Sequence, residues 1–210
     1  MKKTLSSISA ALAAVLLAST AMAAPPAGSD QAVASKAQDL LHDPHSQVLG
    51  NPKGDVTIVE FFDYACPVCK AIEPKLEDLL KTDKNVKLVI KEFPILSPQS
   101  LTATKVAFAA DKQGKYGAFH QALMLYRGQL TDEVIFETAK RAGVEPKRMR
   151  KDMDARYIND EIYTNLNLAR SLRMNTTPGI IIGNHISTAP NSVDIDFRKA
   201  VADTRAGKVW

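Results

Sequence analysis

The chain has 210 residues, 45% of them hydrophobic, enough to bury a sizeable core in one domain or in a core domain with an insertion. Its 27 basic and 23 acidic residues leave a formal charge of +4 without a Lys/Arg-rich block or interleaved aromatics, so nothing supports nucleic-acid binding. With only 2 cysteines it is not a disulfide-built scaffold.

Residues 1–23 have the pattern of a signal peptide. Lys2 and Lys3 form a basic start, residues 10–18 an apolar segment, and Ala21-Met22-Ala23 the small-x-small site that predicts cleavage after Ala23. The apolar segment is well short of the roughly 20 residues a spanning helix needs. No cysteine near the cleavage point offers a lipid attachment. Loss of the leader lowers the formal charge from +4 to +2. A leader of this bacterial style predicts export to the periplasm.

Residues 24–54 read as an N-terminal helix and linker. Over 29–42 the apolar residues Val33, Ala37, Leu40 and Leu41 form a narrow stripe behind a Ser29 cap, a face for the core or for a second subunit. Pro, Gly and Asn then mark a connection, with Gln47-Val48-Leu49 as a short edge strand. Residues 56–62 are apolar on both faces except at Thr57 and Glu60, the pattern of a strand covered on two sides. A helix follows over 67–81 with Ile72, Leu76, Leu79 and Leu80 in its stripe and a kink expected at Pro74. The next strand, 86–90, completes a βαβ unit.

From 95 to 173 the pattern becomes helical, with pieces over 101–111, 116–126 and 131–142 and a longer one through Ile158, Ile162, Leu166, Ala169 and Leu172. Strand character returns at Ile180-Ile181-Ile182, followed by a Gly183-Asn184 hairpin turn and a short strand at 185–187. A last helix is expected over 192–206, with Asp194 and Asp196 near its start.

Both cysteines lie in Cys66-Pro67-Val68-Cys69, where the first core strand gives way to its helix. With Cys66 at the helix start and Pro67 in the first full position, the Cys66 sulfur faces unpaired N–H groups and the positive end of the macrodipole. Such placement lowers a thiol pKa from about 8.5 to roughly 3.5–7.5. Cys69, three residues on, lies on the same side of the first turn and can resolve a mixed disulfide. A bridge closing so small a loop adds little stability, so redox exchange leads over a structural bridge or half a metal site.

The segment Val59-Glu60-Phe61-Phe62-Asp63-Tyr64-Ala65-Cys66-Pro67-Val68-Cys69-Lys70 resembles the active-site segment of the DsbA-like thiol–disulfide oxidoreductases of the thioredoxin superfamily. Leu49 to Asp55 and Lys91-Glu92-Phe93-Pro94 are similar to the ScsC-like branch. The resemblance implies an α/β thioredoxin fold with an inserted helical domain: a first part over 55–94, the insert over 95–173 and a second part over 174–210. It implies Cys66 as the exposed nucleophile, Cys69 as resolving thiol, and Pro67 and Val68 as the pair that tunes redox poise. Thr177-Pro178 matches the cis-proline element that faces the site and binds extended substrate, where proline tolerates the cis bond and donates no hydrogen bond.

Glu60 is an acid in an apolar strand, costly unless neutral or paired. It resembles the family's buried acid, able to exchange a proton with Cys69 when that thiol attacks the mixed disulfide. Lys91, at the end of the second strand, is its expected partner. His42 and His45 read as solvated linker residues, and Met149 and Met153 as core or groove lining; no metal site and no cofactor is expected.

The resemblance implies unfolded or misbridged exported proteins as clients and a membrane redox partner, either a quinone-linked oxidase or an electron-donating reductase. A homo-oligomer through the N-terminal helix is a further expectation. The residues leave formation, reduction and isomerisation of disulfides open. The alternative is a periplasmic copper-binding protein whose Cys66 and Cys69 hold Cu(I).

Overall fold

A computed structural model describes residues 29–210. The signal peptide expected over 1–23 lies outside the described residues. Strands β1 (Gln47–Gly50), β2 (Val56–Phe62), β3 (Val86–Glu92), β4 (Gly179–Ile182) and β5 (His185–Thr188) form one sheet in the order β1-β3-β2-β4-β5. Only β2 and β3 run parallel; the other neighbours are antiparallel. Gly183 turns the last hairpin with φ 59°, a conformation open to glycine without a Cβ penalty.

Side-chain alternation sorts β2 into two faces. Ile58 and Phe62 join Leu88, Ile90, Ile180 and Ile182 in a core covered by α3 (Pro67–Thr82) and by α9 (Phe197–Arg205). Val59 and Phe61 join Val89 and Ile181 in a second core covered by α1 (Ser29–Ser35), α2 (Ala37–Leu41) and the end of α8 (Arg156–Ser171). Between β3 and α8, helices α4 (Pro98–Asp111), α5 (Tyr116–Leu125), α6 (Asp132–Arg141) and α7 (Pro146–Asp152) make the helical insert, whose interior continues the first core through Val106, Phe119, Ile135 and Met149. This is a thioredoxin fold with an inserted helical domain.

Local chemistry explains several departures from expectation. The helix expected over 29–42 breaks at Lys36, beside a Ser35 hydroxyl that donates back to Ala32 O at 2.8 Å. Its stripe residues Val33 and Leu40 are buried in the second core, the first of the two uses expected for that stripe. The last helix begins later than expected, because Asp196 acts as its cap and accepts from Lys199 N at 3.0 Å. Helix α7, opened by the Glu145 carboxylate on the N–H groups of Lys147 and Arg148, carries Met149 and is capped at Met153.

The largest correction concerns Lys91. Glu60 pairs in register with Ile90, whereas Lys91 lies opposite Phe61, and neighbours in register share a face. Lys91 is therefore on the second face, fully buried, with Nζ donating to Asp43 Oδ2 at 2.6 Å and to Asp39 O at 2.9 Å. It anchors the N-terminal segment and makes no pair with Glu60. Replacing one partner of a buried ion pair leaves the other uncompensated, so Lys91→Met is expected to cost about 3–5 kcal/mol in urea unfolding. A loss below about 1 kcal/mol, the scale of an exposed pair, contradicts that role.

Candidate active site

The loops leaving the parallel strands β2 and β3 are tied together by one buried carboxylate. Asp63 Oδ1 accepts from Ala65 N at 2.7 Å, and Oδ2 from Ile95 N at 2.8 Å and Leu96 N at 2.9 Å. The Asp63 carbonyl then accepts from Cys66 N at 3.0 Å. Cys66 is left in an extended conformation as the cap of α3, with Pro67 in the first turn. Pro67 brings a φ suited to a helix start and no N–H that would need a partner.

The two thiols experience opposite environments. Cys66, expected to be exposed, is only 3% exposed because it packs against the Thr177-Pro178 segment; its sulfur accepts from Cys69 N at 3.3 Å, and its thiol donates to Thr177 O at 3.3 Å. The Thr177-Pro178 bond is cis. Donation from the Cys69 thiol is the largest influence on Cys66. Burial opposes it, while the contact with Thr177 and the N–H groups of Cys69 and Val68 add to it, and the Cys66 pKa falls to about 6. Cys69 is fully buried, and burial first, then its bond to Cys66 and the charge of Glu60, push its pKa well above the ordinary thiol range.

Glu60 lies on the same face of β2, fully buried, with neither carboxyl oxygen hydrogen-bonded. Burial and then the charges of Glu73, Cys66 and Glu92 raise its pKa well above the usual carboxyl range, which favours the neutral acid. The structure thus brings Cys66, Cys69, Pro67, Val68, Thr177, Pro178 and Glu60 together, and leaves Lys91 on the other side of the sheet.

Sequence reasoning gave no role to a second polar group on this face. The Glu92 carboxyl, buried at the end of β3, accepts from Thr104 at 2.7 Å, Tyr116 at 3.0 Å and Tyr64 at 3.1 Å. His120 Nδ1 lies 3.2 Å from the Tyr64 hydroxyl, and its Nε2 is 3.6 Å from Glu73 Oε1. Burial raises the Glu92 pKa to about 7 against the pull of Thr104, His120 and the two tyrosines. Two signals in the sequence pointed here: Glu92 is two residues beyond Ile90 on the β3 face that meets Glu60, and Tyr116 and His120 are four apart on α5.

A family model described as "Thioredoxin" matches residues 42–203. The chain belongs to the thioredoxin family. Within it, a thioredoxin-like oxidoreductase from Silicibacter pomeroyi DSS-3 is 37% identical with a TM-score of 0.74, over 80% of this chain and 97% of that one. The catalytic domain of Proteus mirabilis ScsC is 26% identical with a TM-score of 0.71, over 82% and 98%. The thiol:disulfide interchange protein DsbA of Bordetella parapertussis is 26% identical over 90% of each chain. The match to the Na(+)/H(+) antiporter NhaA 1 of Salinispora arenicola, 30% identical over 108 residues, spans only 17% of that protein, and that to NhaA 3 of Salinispora tropica only 23%. The family and fold are thus DsbA- and ScsC-like.

Glu60 also has a measurable cost. Its folded pKa lies above the unfolded one, so the stability it allows is complete below the ordinary glutamate range and is lost as pH rises towards the folded value. Glu60→Gln, which cannot ionise, is expected to match the parent in urea unfolding near pH 4 and to become progressively more stable than it as pH rises to 7. A constant difference across that range contradicts a neutral, buried Glu60.

Proposed function

We propose that the protein is a thiol–disulfide oxidoreductase of the periplasm that exchanges disulfides with unfolded or misbridged exported proteins. The observation that carries this reading is the asymmetry of the pair: Cys66 caps α3 with its sulfur accepting from Cys69 N, Cys69 is fully buried behind it, and these settings lower the pKa of Cys66 and raise that of Cys69. The leader expected over 1–23 and the oxidoreductase and interchange proteins among its relatives support it. A periplasmic thioredoxin-like protein from Salmonella enterica, 28% identical over 95% of that chain, supports the location.

The thiolate of Cys66 attacks a client disulfide, one client sulfur leaves as a thiolate, and a mixed disulfide forms. Cys69 then loses its proton and displaces the second client sulfur, leaving Cys66 and Cys69 joined. The reverse sequence donates the bridge to a client. Glu60 is the proton acceptor we assign to the second step. The charge of Cys66 helps keep Glu60 protonated, and that charge disappears in the mixed disulfide. Glu60 then ionises more readily, at the step that needs a base beside Cys69. Pro67 and Val68 set the donors around Cys66, and Thr177-Pro178 presents backbone to an extended client.

Stabilising the Cys66 thiolate stabilises the reduced protein, which biases the exchange toward donating a disulfide. Net formation or net reduction of a client disulfide changes the state of the dithiol and needs a redox partner to reset it, for which we propose a membrane protein, whereas isomerisation returns the dithiol to its starting state. The copper-binding alternative uses the same two thiols, so binding of Cu(I) alone would not decide between the readings; absence of cysteine-dependent turnover would favour it.

The test is recovery of activity by a secreted enzyme that works only with native disulfides, supplied reduced or scrambled. The parent protein is expected to outpace a glutathione buffer, Cys66→Ser to match the buffer, and Cys69→Ser to accumulate as a mixed disulfide with the client. A parent protein no faster than buffer would overturn the proposal.

A further inference from the structure

Beside the thiols a cleft of about 350 Å³ opens between the start of α3 and the loop after α5. Ala65, Pro67 and Leu130 give it an apolar wall, Lys70 and Arg127 supply its charge, and no acidic side chain lines it. Ala65 and Pro67 are the chain neighbours of Cys66, so the cleft begins where a client cysteine would be attacked.

The two cations are held in place by backbone carbonyls, one of them freed by a defect in α3. Pro74 has no N–H, so the carbonyl of Lys70, four residues earlier, lacks its helical donor. Arg127 fills that vacancy, with Nη2 donating to Lys70 O at 3.2 Å and Nη1 to Met124 O at 2.7 Å. Lys70 Nζ in turn donates to Leu123 O at 2.6 Å and Tyr126 O at 2.9 Å. All these acceptors are neutral carbonyls, and among the described residues neither cation has a carboxylate within ion-pair distance.

An ammonium has three donors and a guanidinium five, so both retain N–H groups for a ligand. Burial and then the charge of Arg127 lower the Lys70 pKa to about 8, as befits two cations held close without a counter-charge. Because both are already tethered, binding an anion would cost little side-chain entropy.

We propose that this cleft is a subsite for an aspartate or glutamate side chain of a client polypeptide, next to the cysteine that reacts with Cys66. The proposal rests on the thiol exchange proposed above and adds a sequence preference to it. An acidic residue near the reacting sulfur would otherwise be repelled by the Cys66 thiolate; Lys70 and Arg127 reverse that sign.

The test uses two short peptides, alike except for Glu or Gln beside a single cysteine carried as its pyridyl disulfide. The Cys66 thiolate of the reduced protein attacks the peptide sulfur and 2-pyridinethione leaves. Cys69, giving up its proton, then displaces the peptide thiol; the protein dithiol is oxidised and the peptide disulfide reduced. The Glu peptide is expected to react about two- to fivefold faster than the Gln peptide at low ionic strength, with the ratio falling as salt is added. Arg127→Gln is expected to bring the ratio to one or below, and Gln129→Glu, which places a carboxylate in the cleft, to lower it also. Taking the ratio within each variant cancels any loss of folded protein. Equal rates in the parent, or a parental ratio kept in Arg127→Gln, would overturn the subsite while leaving thiol exchange intact. A Gln peptide that reacts no faster with the parent than with Cys66→Ser would overturn the exchange reading, and the subsite with it.

Discussion

Strand β2 is covered on both faces, and its two-residue alternation decides which polar groups meet the thiols. Glu60 and Phe62 point toward α3, so an acid comes to lie beneath Cys69; Phe61, between them, points away. The parallel partner β3 repeats the division. Glu92 falls on the thiol side, and Lys91, one residue earlier, on the other. A slip of one residue in this register would bring a lysine to the acids below the thiols and remove a carboxyl from them, inverting the electrostatics of the site. The fold below the active site is in this sense a device for keeping positive charge away from Glu60.

The same arrangement sets two opposed dependences on pH. Glu92, raised to about 7 by burial, contributes fully below the ordinary glutamate range and loses that contribution as pH rises through 7. Cys66 behaves in the opposite sense: its pKa is lowered to about 6, so its stabilisation of the reduced protein is complete above the ordinary thiol value and is lost as pH falls through 6. Near neutrality the protein bears the cost of buried acids while it gains from a stabilised thiolate. That cost is borne next to the reacting sulfurs, where carboxyls of raised pKa can release protons and take them up again.

The strands, most helices and the placement of the thiols were legible because each rests on local chemistry: hydrophobic period, a proline in the first turn, a Gly-Asn turn. The Glu60 environment was legible for a similar reason, since an acid in a strand covered on both faces has few ways to exist. Lys91 was misjudged because nearness to the end of a strand was weighed without the register that assigns its face. The group formed by Glu92, Tyr64, Thr104, Tyr116 and His120 was missed for a different reason. Its members come from the loop after β2, from β3 and from α4 and α5, and only packing of the insert onto the sheet brings them together. Arg127 is a similar case, since the vacancy left by Pro74 is visible in the sequence and the residue that fills it is not.

The account depends most on the difference between the two sulfurs. The measurement that tests it directly is alkylation of the reduced protein against pH, with Cys66 and Cys69 distinguished by mass mapping. Half-maximal reactivity of Cys66 near pH 6, with Cys69 resisting modification well past the ordinary thiol range, is the predicted result. Two thiols that titrate together near the ordinary value would contradict it, and with it the proposed division into nucleophile and resolving thiol.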